Sequence, residues 1–351
     1  MHVSENEKYL GVFVNSKGKI DKTIEDRRRK GYAMVSQIMS ILEEIPLGRY
    51  KVEIGLILRK VMLLGCMLFN SEVWHCINEK NIRDLEKVDE YLLRRLLSAH
   101  PKTPIEMLYL ETGAIPIKFI ISLRRLLYLH TILKRSDSEL TKRVYFAQKE
   151  SPVKGDFSQL VAEDVKLIGK TEQEITQISK KAFKKVATIT IKNEALKHLR
   201  NRQQTHSKVN KIQYVKLQTQ SYLTSPLFSD YEAKVIFKLR TEFLNCKMNF
   251  KFMHPKGDLK CPLCNTHNDT QQHILECEII RNKVKSSEML NADIKYEDIY
   301  SENIHKMKAM IVVFLNCLNI RDNLVENLCR IQDLSTPRSA GGKSTLYFST
   351  V

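Results

Sequence analysis

Three cysteines and one histidine, Cys261, Cys264, His273 and Cys277, stand close together in CPLCNTHNDTQQHILEC (261–277) with the spacing C-x2-C-x8-H-x3-C. Two cysteines separated by two residues in a tight turn, stiffened here by Pro262, can turn both thiolates toward one ion. His273 and Cys277 are four apart, which places them on one face of a helix a single turn from each other. Asp269 is positioned to cap that helix and Gln272 to complete a capping box. Three sulfurs and one nitrogen close a tetrahedron and leave no position for water, so the spacing predicts structural Zn2+ and not catalytic zinc. Glu276 follows without the H-x-E arrangement that a zinc deaminase needs for proton transfer. His254 and His267 lie near enough in the sequence to replace a predicted ligand.

No second catalytic constellation accompanies this cluster. The sequence has no G-x-x-x-x-G-K-[ST], G-x-S-x-G, H-E-x-x-H or G-x-G-x-x-G. AGGKST (340–345) resembles the end of a phosphate loop but lacks the first glycine and a preceding strand, and it falls in a tail, 335–351, that reads as disordered.

The 351 residues suffice for two or three domains with cores of their own. The remaining cysteines are scattered singly and the opening MHVSENEKYL is polar and charged, which predicts reduced thiols and an intracellular location, nuclear or cytoplasmic. The most apolar run, VMLLGCMLF (61–69), is about half the length of a bilayer span, so no membrane partner is expected. The net charge is +17, and between Lys180 and Lys260 eighteen Lys or Arg face five acids, a local net of +13. A field of that size suits a polyanion, most simply RNA or DNA, although charge alone fits a solvated lysine-rich helical surface equally well.

The positioning elements read as mainly α-helical. YLGVFV is β-rich and NSKGK supplies a turn, which predicts a hairpin over the first 20 residues. From Thr23, apolar residues recur at three- and four-residue steps up to PLG (46–48), and RRRK (27–30) sits near the start of that helix, the unfavourable end of the dipole for cations. Further helices are expected at about Arg49 to Trp74, Glu79 to Ala99, from Pro104, Pro116 to Lys134, Glu172 to Arg202, and from Asp230, where Ser229 and Glu232 form a capping box. Residues 135–170 carry the weakest pattern, with SPVKGD (151–156) reading as a linker. Phosphate contacts are expected from Arg27, Arg28, Arg29 and Lys30, and from Lys180, Lys181, Lys184, Lys185, Arg200, Arg202, Lys208 and Lys211, with Tyr214 and Tyr222 able to add base stacking.

The order of EKYLGVFVNSKGKI, SEVWHCINEKNIRDLEKVDEYLLRRLL, TPIEMLYLETGAIPIKFIISLRRLLYLH, RTEFLNCKMNF and CPLC…DTQQHILEC resembles the carboxyl-terminal part of reverse transcriptases encoded by LINE-type (non-LTR) retrotransposons, from about Glu7 to about Arg281. The resemblance implies a residual palm-edge hairpin (1–20), a thumb-like helical bundle (21–150), a basic helical linker (151–256), a CCHC zinc module (257–284) and C-terminal helices (285–334). It also implies RNA and/or DNA as partners, together with the upstream part of the same open reading frame. Polymerisation in that family requires metal-binding carboxylates that include an F/Y-x-D-D pair. No two aspartates are adjacent in this sequence, and the region after Cys277 shows no P-D…D nuclease pattern. The expectation is therefore a nucleic-acid-binding portion that is inactive as a polymerase alone and uses Mg2+ only if the missing palm is supplied. The alternative is a co-opted zinc-binding helical scaffold for protein partners. The hairpin, lacking neighbouring strands, is expected to expose Leu10, Val12 or Phe13.

Overall fold

The structure, a computed structural model, describes residues 5–9, 11–46, 51–253, 257–284 and 294–335. The described residues are mainly helical, with one two-stranded sheet, and the chain separates into two units, Met1–Phe243 and Leu244–Val351.

In the first unit, strands β1 (Asn6–Tyr9) and β2 (Val12–Asn15) pair antiparallel with Tyr9 opposite Val12. Gly11, at φ +81, supplies the reversal, so the turn falls inside YLGVFV and not at NSKGK. NSKGK instead folds around Asn15, whose side chain accepts from the N–H groups of Lys17 and Lys19. The exposed apolar side chains are Tyr9 and Val14, not Val12 and Phe13, which are half-buried. Phe13 is held because its N–H donates to Thr23 Oγ1 (3.1 Å) and that hydroxyl donates to its carbonyl (3.2 Å). Leu10 lies outside the described residues.

Helix α1 (Asp21–Glu44) buries Ile24, Val35, Ile38 and Leu42. Gly31 lies on the same face, where a Cβ would meet Met67 Sδ at 2.7 Å and Val88 Cγ1 at 2.9 Å, so its lack of a side chain sets how closely the neighbouring helices approach. The helix expected from Arg49 to Trp74 is α2 (Lys51–Leu58), a π-helical turn (Arg59–Leu63), α3 (Leu64–Met67) and a 3-10 turn (Ser71–Val73). At the π-turn Arg59 is buried and donates to both oxygens of Asp89 at 2.6 Å and to the Ile115 carbonyl, while Tyr109 donates to the same carboxylate. Helices α4 (Glu79–Leu97), α5 (Ile105–Thr112) and α6 (Ile117–Leu133) follow near the expected places.

The weakly patterned region 135–170 contains two helices, α7 (Leu140–Glu150) and α8 (Phe157–Ile168), and SPVKGD (151–156) is the segment that connects them. Their periodicity is weak in the sequence because Leu140, Val144 and Phe146 are exposed, and because α8 is tied to α6 by a polar contact, Arg125 donating to both oxygens of Asp164 at 2.6 and 3.1 Å. The helix expected over 172–202 divides into α9 (Glu172–Gln177) and α10 (Lys180–Gln203) where Ser179 caps the second by accepting from Ala182 N–H. Helix α10 buries Phe183, Ala187, Ile191, Ala195 and Leu199, spaced four apart, and packs on α6, α5 and α8. Helices α11 (Ser221–Thr224) and α12 (Asp230–Arg240) complete the unit, the latter with both arms of the Ser229/Glu232 capping box formed. Most of the segment expected as a linker is thus built into the first unit.

Gly113 explains one of the long-range joins. It ends α5 at φ +65, and a Cβ there would lie 2.3 Å from the backbone of Gln218 and Thr219, which bridges to Thr112. That close approach brings Tyr214 and Tyr222 to Glu111, whose carboxylate accepts from both hydroxyls and from Arg240 Nε at 2.8 Å.

In the second unit, α13 (His273–Glu276) and α14 (Glu278–Lys283) pack on α15 (Ile304–Ser335), and a 3-10 turn, Tyr296–Tyr300, also packs on α15. The apolar core here is small, with Ile274, Ile280, Ile299, Met310, Ile311 and Phe314 as its main members.

Candidate metal centre and cationic surface

Cys261 and Cys264 are held by a short hairpin in which Lys260 bridges Asn268, Cys261 N–H donates to the His267 carbonyl (2.7 Å), and Asn265 N–H donates to the Cys261 carbonyl (3.0 Å). Asn265 takes a left-handed conformation at φ +54, which suits asparagine and lets the turn close. His273 and Cys277 sit one turn apart, joined by Cys277 N–H donating to the His273 carbonyl at 2.8 Å. The ligand atoms of all four residues lie within 4.8 Å of one another, so the cluster could hold a metal ion. Cys261, Cys277 and His273 are buried, and Cys264 is half-buried.

The helix start differs from expectation. Thr270 Oγ1 accepts from His273 N–H, and Asp269 does not cap. Asp269 is buried, accepts from Lys247 N–H (2.8 Å), and both of its oxygens accept from the single nitrogen Arg321 Nη2 at 3.1 and 3.0 Å. Asp269 therefore fastens the ligand loop to α15. Sequence reading missed Arg321, since it lies 52 residues away and no local pattern points to it. Gln272 turns to Glu276, four residues on. His267 is not among the clustered ligands; it is exposed, accepts or donates at Thr266 Oγ1, and stacks on the His273 ring at 5.2 Å. His254 lies outside the described residues.

Burial opposes ionisation of Cys264, yet the N–H groups of His267 and Thr266, the Thr266 hydroxyl and the His273 ring together lower its thiol to about 5. Burial pushes Cys261 up to about 11, against the N–H groups of Cys264 and Leu263.

The expected phosphate contacts divide by environment. Arg27 is buried, donates to the carbonyls of Gly11 (2.8 Å) and Cys66 (3.4 Å), and lies over the Phe69 ring, so it fixes the hairpin to α1 and does not face solvent. Arg29 and Lys30 pair with Asp26 at 3.3 and 2.6 Å, and Arg28 is exposed. Arg202 pairs with buried Glu106 (2.7 Å), Lys211 pairs with Glu242 (2.9 Å), and Lys208 lies over the Phe243 ring at 5.1 Å. Lys180, Lys181, Lys184, Lys185 and Arg200 are exposed on α10 and make no ion pair among the described residues. Lys192 and Lys197 are exposed on the same helix and were within reach of sequence reading through their shared segment. Tyr214 and Tyr222 are buried against Glu111 and offer no face for stacking.

Among the described residues, no helix is long and apolar enough to cross a membrane. No family model, no curated protein and no solved structure matches the chain.

Proposed function

We propose that these residues form the nucleic-acid-gripping, carboxyl-terminal portion of a LINE-type reverse transcriptase, with the cysteine–histidine cluster holding a structural zinc ion. The observation that carries the reading is α10, where Lys180, Lys181, Lys184, Lys185 and Arg200 are exposed and make no ion pair among the described residues. On this reading, those cations would displace counterions from a phosphate backbone. The zinc assignment is supported by the donor set and by the Cys261–Cys277 Sγ–Sγ separation of 4.0 Å. Metal–sulfur arms of about 2.3 Å would place tetrahedral sulfurs roughly 3.8 Å apart. With all four positions filled by protein, the ion fixes the fold of the module and activates no water. No two aspartates are adjacent in the sequence, so the reading assigns grip and not polymerisation to these residues. Mg2+ would act only through a palm supplied from elsewhere.

A binding titration of RNA and DNA oligonucleotides across salt concentrations tests the reading. Affinity is expected to fall steeply with salt, and replacing Lys180, Lys181, Lys184 and Lys185 by Glu should flatten the log–log slope by up to about 3. A salt-independent affinity, or one unchanged by the four replacements, would sink it. The exposed apolar residues Leu140, Val144 and Phe146 on α7 favour the second reading, a scaffold for protein partners, and that reading predicts the flat response.

A further inference from the structure

Of the four clustered ligands, Cys264 alone is open to solvent. Cys261 and Cys277 are 1% and 0% exposed and His273 is 7% exposed, whereas Cys264 is half-buried beside the exposed residues Asn265, Thr266 and His267. The Thr266 hydroxyl donates to its sulfur at 3.2 Å and His273 Nε2 lies 3.3 Å away, so the sulfur is held in place while one side stays accessible. Its neighbour Cys261 belongs to the same tight turn, and their sulfurs lie within 4.8 Å. Elsewhere Cys246 and Cys317 are buried, at 1% and 2%, and the more accessible Cys66 and Cys76 belong to the first unit.

We propose that Cys264 is the peroxide-reactive thiolate of the cluster, and that its oxidation ends in a Cys261–Cys264 disulfide that ejects the metal. The proposal rests on the zinc assignment above. In the first step the Cys264 thiolate attacks one peroxide oxygen, the O–O bond breaks, a sulfenic acid forms and hydroxide leaves. In the second, the Cys261 thiolate attacks the Cys264 sulfur, the S–O bond breaks, and a second hydroxide leaves as the disulfide forms. The two thiolates give up two electrons and the peroxide accepts them. The ion is left with only His273 and Cys277, too few ligands to retain it. Access selects the site, because a buried thiolate cannot be reached by the oxidant without local opening.

The test uses the full chain loaded with zinc, its metal content measured first, then treated with hydrogen peroxide in the presence of dimedone or in its absence. With dimedone, the first adduct is expected on Cys264. Without it, about one zinc per chain is released, a Cys261–Cys264 disulfide is found by peptide mapping, and dithiothreitol with added zinc restores the starting state. Cys76→Ser should release zinc at the same rate as the parent chain. A first adduct on Cys261 or Cys277, zinc retained at the peroxide level that modifies Cys76, or release abolished by Cys76→Ser would each overturn the proposal. A chain that holds no zinc before treatment would refute the zinc assignment separately, and the position of the first dimedone adduct would still decide the reactive thiol.

Discussion

The two units solve the problem of stability differently. The first packs long helices through apolar stripes, such as Phe183 to Leu199 on α10, and sets three buried Arg–carboxylate contacts among them: Arg59–Asp89, Arg125–Asp164 and Arg240–Glu111. The second has few large apolar side chains among its described residues, and its ligand loop is fastened by the cysteine–histidine cluster and by Arg321–Asp269. The first unit is held by a large apolar interior, whereas the ligand loop of the second lies beside a smaller one, where a metal ion held by the cluster would act as a staple.

Metal removal gives the sharpest break in this comparison. A chelator, or Cys261→Ser, is expected to unfold the ligand loop and expose the chain beyond Leu244 to protease while the first unit keeps its helical signal; structural zinc contributes roughly 10–16 kcal/mol in small modules. Equal protease resistance of both units after chelation would erase the distinction. Next in size are the buried ion contacts. Arg240→Ala leaves the Glu111 carboxylate buried beside two tyrosines, and Arg321→Ala leaves Asp269 buried in the ligand loop. Each should cost about 3–5 kcal/mol in the unit that contains it. Urea unfolding, followed by a probe in each unit, should show Arg240→Ala lowering only the first midpoint and Arg321→Ala only the second.

The smallest effect concerns a carboxylate that the first unit tolerates. Burial, followed by the neighbouring Glu90, raises the Glu86 carboxyl above its ordinary value, with Arg83 opposing. The folded chain therefore holds this proton more tightly than the unfolded chain, and its contribution to stability falls as pH rises from about 4.5, the ordinary value for a glutamate, through the raised folded value. Glu86→Gln should raise stability at pH 7 by less than about 1 kcal/mol and change little at pH 4, as measured by thermal unfolding at both. A loss at pH 7 would mean that the Arg83 contact outweighs burial.

How far each feature could be read locally follows from the reach of the forces involved. The clustered cysteines and histidine were legible as candidate metal ligands because cysteine spacing and a one-turn helix are local, and the Ser229/Glu232 box was legible because a cap spans only three residues. The hairpin turn was misplaced because Gly18 and Gly11 both fit a turn, and only the pairing of Tyr9 with Val12 chooses between them. Helices α7 and α8 were obscured because α8 is fastened through Arg125–Asp164 and α7 leaves apolar residues in solvent.

The sequence by itself determined the helical class, the excess of positive charge and the four-ligand set, since composition, periodicity and short spacing need no partner to be read. Tertiary structure alone decided which cations remain available. Arg27 and Arg28 are adjacent and chemically identical, yet one is sealed against Gly11 and Phe69 and the other is exposed. Tyr214 and Tyr222 likewise became hydrogen-bond donors to Glu111, because a residue more than a hundred positions away closes over them. The physical reason is desolvation: a guanidinium or a phenol keeps its place in a core only where distant carbonyls and carboxylates converge to satisfy it, and that convergence is a property of the fold.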